Sequence, residues 1–269
     1  MQKQTVFAIA SCAGFAATAL AGGDFVLGDG NSTATFSPDQ GQIDWNVDGV
    51  NQLFTQEFYI RRSTDTQELR VDSINFNNVG NFATDTNGFT DTRDDAFGSL
   101  FTDGNGLEIE TLFTLRGNTA GSNSSSLAEV ITLRNTSSSS MTLSFFQFVD
   151  FDLGTFFSDD SGEIVNGNTA FQYDGGSSIL SETATTPSPD LFQMGNGVSL
   201  RAMLADGSID DLDGTAAFAG DVGWAFQWNI TLAAGDSFLI SKNKTLVPTP
   251  GSMMLLGTAG LLASRRRRS

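Results

Sequence analysis

The chain has 269 residues and is strongly acidic: 14 Lys and Arg stand against 31 Asp and Glu, for a net charge of −17. Histidine is absent and there is one cysteine. These counts exclude Ser-His-Asp and Cys-His nucleophile systems and zinc or copper sites built from His and Cys. The charge disfavours nucleic acid as a partner, because that affinity depends on neutralising phosphates. Carboxylate chemistry remains, as paired acids of glycosidase type or as oxygen-ligated Ca²⁺.

The first 21 residues predict a secretory signal peptide. Lys3 precedes an apolar, alanine-rich stretch over residues 6–20, and Ala19-Leu20-Ala21 is an A-x-A site for signal peptidase. Residues 9–12 match a lipobox by letter, but the apolar segment before Cys12 is too short for a lipoprotein signal. Cleavage after Ala21 leaves a body without cysteine, which must be stable without disulfides.

Residues 22–246 predict one all-β domain, an antiparallel β-sandwich of about a dozen strands. Clusters of Gly, Ser, Asn and Asp separate short runs in which apolar and polar residues alternate. Strands are predicted over residues 33–37, 42–47, 53–61, 68–76, 107–116, 127–135, 141–151, 166–173, 177–182, 198–204, 223–232 and 237–242. Residues 77–95 are predicted to form a long loop.

Two sequence-adjacent strand pairs are predicted to associate, 127–135 with 141–151 and 223–232 with 237–242. The strand over 141–151 is apolar on both faces, so it should be central and covered on both sides. The chain has 23 phenylalanines, and aromatic rings bury a large area each. The predicted core contains Phe113, Ile131, Leu133, Phe145, Phe146, Phe148, Trp224, Phe226 and Trp228.

Two acidic segments are candidates for binding Ca²⁺. Asp150 and Asp152 are two residues apart at a strand end, so their carboxylates share one face, about 6–7 Å apart. Asp159, Asp160 and Glu163 follow in the next loop and could join them. The segment D-G-S-I-D-D-L-D-G departs from the EF-hand pattern and supplies four further candidates, Asp206, Asp210, Asp211 and Asp213. Polar capping of turns is the preferred explanation of both segments, and no catalytic residue is predicted.

The segment 247–269 combines three features in order. A proline-containing block consists of Val247, Pro248, Thr249, Pro250 and Gly251; an apolar run over 253–263 predicts a short hydrophobic helix; a basic cluster consists of Arg265, Arg266, Arg267 and Arg268. The helix would span roughly 20 Å, less than the ~30 Å hydrocarbon core, and the arginines can extend it by reaching the interface. Positive charge marks the cytoplasmic side, so the body should lie outside.

This order of features resembles the PEP-CTERM sorting tail of bacterial surface proteins. The family motif usually reads V-P-E-P, and Thr249 stands here in place of the glutamate. The resemblance implies recognition by an exosortase-like enzyme, cleavage near the prolines, and release of the body after transient membrane anchoring. The family's association with exopolysaccharide-producing bacteria implies a role in the envelope or in biofilm.

The sequence therefore predicts an exported, non-enzymatic cell-surface or extracellular-matrix protein. The alternative is a carbohydrate-binding module or a carboxylate-dependent glycoside-active enzyme, with extracellular polysaccharide as the partner. Two convergent carboxylates about 5–9 Å apart in a deep cleft would favour hydrolysis. Exposed, coplanar aromatic rings in a groove would favour binding instead.

Overall fold

The computed structural model describes residues 23–88, 91–154, 158–175 and 177–249. The signal-cleavage residues Ala19 and Ala21, and the tail from Pro250 onward with its predicted helix, lie outside these ranges. Within them, 18 strands form two antiparallel sheets that face each other, and there is one helix. This confirms the predicted β-sandwich, with more strands than the dozen expected. No helix in the described ranges is long and apolar enough to cross a membrane.

The first six strands all belong to one sheet and the next four to the other, after which the chain crosses repeatedly between the two sheets. Their bounds are β1 Phe25–Asp29, β2 Ser32–Ser37, β3 Gly41–Val47, β4 Val50–Asn51, β5 Thr55–Arg62, β6 Leu69–Arg70, β7 Asn77–Thr84, β8 Ala96–Thr102, β9 Leu107–Arg116, β10 Ser125–Asn135, β11 Met141–Asp150, β12 Asp160–Val165, β13 Thr169–Asp174, β14 Ser178–Thr186, β15 Leu191–Asn196, α1 Gly197–Leu204, β16 Ala217–Gly220, β17 Val222–Leu232 and β18 Ser237–Pro248. Sheet A has the order β1-β2-β3-β5-β11-β17-β15, with β4 beside β3 and β6 beside β5. Sheet B has the order β16-β12-β13-β14-β18-β10-β9-β8-β7.

The predicted pairing of neighbouring strands is wrong at both places. β10 pairs with β9 and β18 in sheet B, whereas β11 pairs with β5 and β17 in sheet A. The linkers β10–β11 and β17–β18 each cross between the sheets. The buried Asn135 holds both crossings together, because its Nδ2 donates to Ser139 O at 2.7 Å and to Leu232 O and Ala233 O at 3.1 Å.

β11 is the central, doubly covered strand that its apolar faces predict. Phe145 belongs to the main core cluster between the sheets, where its ring lies 5.6 Å from that of Phe58 on the neighbouring strand β5. Phe146 and Phe148 face the other way and pack in a second apolar cluster with Leu200 and Leu204 of α1. All nine predicted core residues are buried, which also confirms that Trp224 and Trp228 are core residues rather than an exposed row of rings.

Three predicted elements are wrong. Residues 198–204 form α1 instead of a strand, because Asn196 caps it by accepting from Ser199 N at 3.0 Å and Leu200 and Leu204 share one helical face. The predicted strand over 68–76 is reduced to β6, since Asp72 Oδ1 accepts from two backbone amides of the following turn. The predicted loop over 77–95 contains β7.

Candidate functional site

Three carboxylates meet where β11 ends and β17 begins. Asp150 is the last residue of β11, Asp152 is two residues further on, and Asp221 immediately precedes β17. One oxygen from each of the three lies within 4.8 Å of the others. The predicted pair Asp150 and Asp152 is therefore brought together, and the antiparallel pairing of β11 with β17 adds Asp221, which is distant in sequence.

One oxygen of the Asp150 carboxylate is buried without a hydrogen-bond donor in the described part of the chain. It is 2% exposed, and its Oδ1 has no hydrogen-bond partner among the described residues. Burial, followed by the charges of Asp221 and Asp152, raises the pKa of Asp150 to about 8, although Arg201 partly opposes this shift. Burial and Asp221 also raise the pKa of Asp152.

A second acidic group lies beside the first. Asp160 opens β12 and is paired in register with Asp174, the last residue of β13. Together with Asp159, they again place three carboxylate oxygens within 4.8 Å of one another. Burial and the nearby Asp174 raise the pKa of Asp160 to about 7, against a hydrogen bond from Gln172 that lowers it. Gln172 Oε1 and Asp160 Oδ1 are buried and unpartnered within the described ranges.

These two triads create a repulsive cluster that protons or a cation would relieve. Ca²⁺ prefers carboxylate and amide oxygens. Each triad offers carboxylates with one oxygen buried without a partner among the described residues, and the second triad adds the amide oxygen of Gln172. Catalysis by Asp150 fits poorly, because a Cβ on Gly197 of α1 would lie 2.2 Å from Asp150 Oδ2. The helix thus rests directly on the carboxylate and leaves no room for a sugar ring.

The other predicted Ca²⁺ ligands do not come together. Asp211 Oδ1 accepts from Arg61 Nη2 at 2.6 Å and from Gln227 Nε2 at 2.7 Å. Asp206 and Asp213 each accept a hydrogen bond from the backbone amide two residues later in the chain. The donors are Ser208 N at 2.7 Å and Thr215 N at 2.8 Å. The backbone oxygen of Asp210 accepts a hydrogen bond from Arg61 Nη1. Asp206 and Asp213 thus cap turns of the loop after α1, whereas Asp211 and the backbone of Asp210 fix this loop to Arg61 of sheet A.

A cleft of about 900 Å³ opens at one end of the sandwich. None of the described residues that line it is charged, although the chain as a whole carries −17. Its lining combines backbone and polar side chains with aliphatic ones: Val47, Val50, Gln52, Gly121, Ser122, Asn123, Ser124, Gly154, Ser177, Ser178, Ile179, Leu246, Val247 and Pro248.

The cleft and the second acidic triad share a wall. Gly154 lines the cleft, and a Cβ at this position would lie 2.4 Å from Asp174 Oδ2. Its φ of +71° also favours glycine. Ser177, another lining residue, donates a hydrogen bond to the same Asp174 oxygen. A change in the charge of Asp174 would therefore act directly on Gly154 and Ser177, two residues that line the cleft.

The predicted sorting motif begins inside the fold. Val247 and Pro248 belong to β18, where they pair with Ile179 and Ser178 of β14. Thr249 N donates to Ser177 O at 3.1 Å. The sandwich thus extends three residues beyond the boundary at 246, while Pro250, Gly251 and the four arginines lie outside the described residues.

Comparison with known proteins gives a fold and no family. Neither a family model nor a curated protein matches the chain. A bacterial glucoamylase solved with acarbose matches with a TM-score of 0.56 at 8% identity, over 91% of this chain and 36% of that one. This chain therefore spans about a third of the glucoamylase. A galactose mutarotase-like protein from Lactobacillus casei gives 0.47 at 8% identity, over 83% and 100% of the chains. An aldose epimerase homologue from C. elegans gives 0.48 at 10%, over 85% and 100%. The class defined is a two-sheet antiparallel β-sandwich.

Proposed function

We propose that the protein is an exported cell-surface or extracellular-matrix protein whose β-sandwich binds carbohydrate in the uncharged cleft. The observation that carries this proposal is the contrast between the neutral lining and the acidity of the whole chain. A sugar presents hydroxyl groups to amides and hydroxyls and presents its C–H faces to aliphatic side chains, and the lining supplies both types. An acidic protein that bound a cationic ligand would place carboxylates there instead.

Binding is favoured over hydrolysis for a geometric reason. Glycoside hydrolysis needs two carboxylates that flank the scissile bond, and the described lining of the cleft has none. The nearby carboxylate with the most strongly raised pKa, Asp150, is buried beneath α1. The fold of the bacterial glucoamylase is compatible with a carbohydrate ligand, but a likeness at 8% identity identifies no substrate.

Delivery to the surface is part of the same proposal. The signal peptide would direct export, the PEP-CTERM-like tail would anchor the protein transiently, and an exosortase-like enzyme would release it. Ca²⁺ at the acidic triads would stabilise the end of the sandwich where the cleft opens. Extracellular polysaccharide would then be the ligand of the released protein.

Glycan-array binding of the full chain, followed by calorimetry with the strongest ligand, tests the cleft. Val50→Trp places a large ring in it, since Val50 is a lining residue and 37% exposed. Val26→Trp is the matched control, because Val26 is also a strand valine and 60% exposed but lies outside the lining. We expect Val50→Trp to weaken binding about tenfold or more, which is about 1.4 kcal/mol. Absence of any glycan binding, or equal affinities for the two variants, would reject the proposal.

A further inference from the structure

A charged cluster is buried between the two sheets. Lys242 and Lys244 project inward from β18, Glu129 from β10 and Glu182 from β14, and all four side chains are fully buried. Lys242 and Lys244 are the only lysines after Lys3 in the sequence. Two positive and two negative charges balance, which is what burial of ions requires.

Lys242 makes an ordinary network of ion pairs. Its Nζ lies 2.6 Å from Glu129 Oε2 and 3.0 Å from Glu182 Oε1. The other oxygen of Glu182 accepts from Trp224 Nε1 at 2.7 Å and from Gln147 Nε2 at 3.3 Å. Lys242 therefore contacts carboxylates that are themselves held in place by sheet A.

Lys244 differs from Lys242 because its ammonium group contacts a side-chain amide as well as a carboxylate. Its Nζ contacts Gln56 Oε1 and Glu129 Oε1 directly. Glu129 Oε2 in turn accepts from Gln56 Nε2 at 3.1 Å. The amine, the amide and the carboxylate thus form a closed triangle that is excluded from water, with Gln56 on sheet A and its two partners on sheet B.

The surroundings of the triangle make the Lys244 ammonium easier to deprotonate and keep Glu129 ionised. Burial lowers the pKa of Lys244, and the adjacent charge of Lys242 acts in the same direction, although Glu129 and Glu182 oppose it. Burial alone would raise the pKa of Glu129, but Lys242 and Lys244 outweigh it and lower the pKa to about 2. Glu129 is therefore ionised and in contact with an amine that burial makes easier to deprotonate. Its lowered pKa makes it a weak base, so proton transfer depends on this direct contact.

We propose that Lys244 and Gln56 form an intramolecular isopeptide bond that joins the two sheets, with Glu129 as the proton carrier. The Lys244 ammonium gives a proton to Glu129, and the neutral Nζ attacks Gln56 Cδ to form a C–N bond. Glu129 passes its proton to the amide nitrogen of Gln56 and takes one from Nζ. The original C–N bond breaks and ammonia leaves.

The charges also balance after the reaction. Lys244 loses its positive charge and Glu129 keeps one proton, so Lys242 and Glu182 remain as a neutral pair. The bond would close the chain between residues 56 and 244, constraining the unfolded state as a long-range disulfide does. It would supply a covalent cross-link between sheets in a body whose sequence has no cysteine after Cys12.

Peptide mapping of the purified, denatured full chain tests the bond, independently of how the ends are processed. The expected product is a branched peptide that joins β5 to β18 and is lighter than the sum of its two parts by one ammonia. Separate peptides with unmodified masses, from protein shown to be folded by near-UV circular dichroism, would overturn the proposal. Loss of one water instead would place the bond on a glutamate and overturn the assignment to Gln56.

Variants separate the proposed roles. Glu129→Gln removes the proton carrier and should slow bond formation about 100-fold or more, the usual contribution of a general acid–base. Lys242→Arg keeps the neighbouring positive charge and should leave the branched peptide intact. A branched peptide formed at the wild-type rate in Glu129→Gln would refute the role of Glu129. The wild-type peptide map is decisive for the bond itself even if Glu129→Gln does not fold.

Discussion

Replacing Asp150 by asparagine tests whether the acidic strand ends destabilise the fold until a proton or cation binds. Burial, Asp221 and Asp152 raise the pKa of Asp150 from 3.8 to about 8 in the folded protein. A group with a raised folded-state pKa contributes stability that is fully present below its unfolded pKa. That contribution is lost as the pH rises through the folded pKa, here between about pH 4 and 8.

The magnitude follows from the size of the shift. One pKa unit corresponds to about 1.4 kcal/mol, so raising the pH from 5 to 7 should lower the free energy of unfolding by up to about 3 kcal/mol through this group. Neighbouring carboxylates titrate with Asp150 and share the effect, which makes this an upper bound. Asp150→Asn keeps the shape of the neutral acid and cannot ionise, so it should lose this pH dependence and be the more stable protein at pH 7.

Urea unfolding of the full chain between pH 5 and 8 in EDTA measures the effect. The informative quantity is the difference in unfolding free energy between wild type and Asp150→Asn, since other titrating groups cancel. Asp236→Asn, in the turn between β17 and β18, is the matched control outside the cluster. A difference between wild type and Asp150→Asn that stays constant within about 0.5 kcal/mol over this range would refute the reasoning.

The same proteins test the cation. At pH 8, Ca²⁺ at 100 times its dissociation constant should stabilise the wild type by about 2.7 kcal/mol. Asp150→Asn should lose part of this gain and Asp236→Asn should keep it. Protons compete for the same oxygens, so the Ca²⁺ effect should shrink between pH 8 and 5. Identical unfolding midpoints with and without Ca²⁺ would show that the triads do not bind Ca²⁺.

Three further outcomes are expected. Phe145→Ala should cost about 3–5 kcal/mol in urea unfolding because Phe145 is fully buried, whereas Phe54→Ala at a half-exposed ring should cost far less; similar losses would contradict the core assignment. Gly117→Ala should destabilise by about 1–3 kcal/mol, since its Cβ would collide with Asp29 O, and Gly23→Ala, which has open space, should be neutral. Mass spectrometry of the secreted protein should find a C-terminus beyond Pro248, because Val247 and Pro248 are paired in sheet B; an intact arginine cluster would argue against sorting cleavage.

The sequence predicts the core better than the connections. Period-two alternation fixes which residues of a strand share a face, so Phe113, Ile131 and Trp224 could be assigned to the interior from sequence alone. It does not fix which strand lies alongside. The polar linker after Asn135 looks like a hairpin turn, yet Asn135 uses its side chain to send the chain across to the other sheet.

The candidate site was only partly visible for a related reason. Asp150 and Asp152 share a face by spacing, but Asp221 and Asp160 join them only through strand pairing and sheet packing. Glu129 was visible as an acid on the apolar face Leu127, Ile131 and Leu133 of its strand, a signal that could have revealed a buried charge. Its partners Lys244 and Gln56 lie far along the chain and on different sheets.

By itself, the sequence determined an acidic, histidine-free β-sandwich with an aromatic core. Composition and alternation can be read from the sequence without knowing which residues are in contact. It also carried the export and sorting signals as hypotheses. Only the tertiary structure decided which sheet each strand joins, which carboxylates repel one another and which lysine meets an amide. Those outcomes depend on distances between segments that are remote in sequence, and such distances are set by the packing of the whole chain.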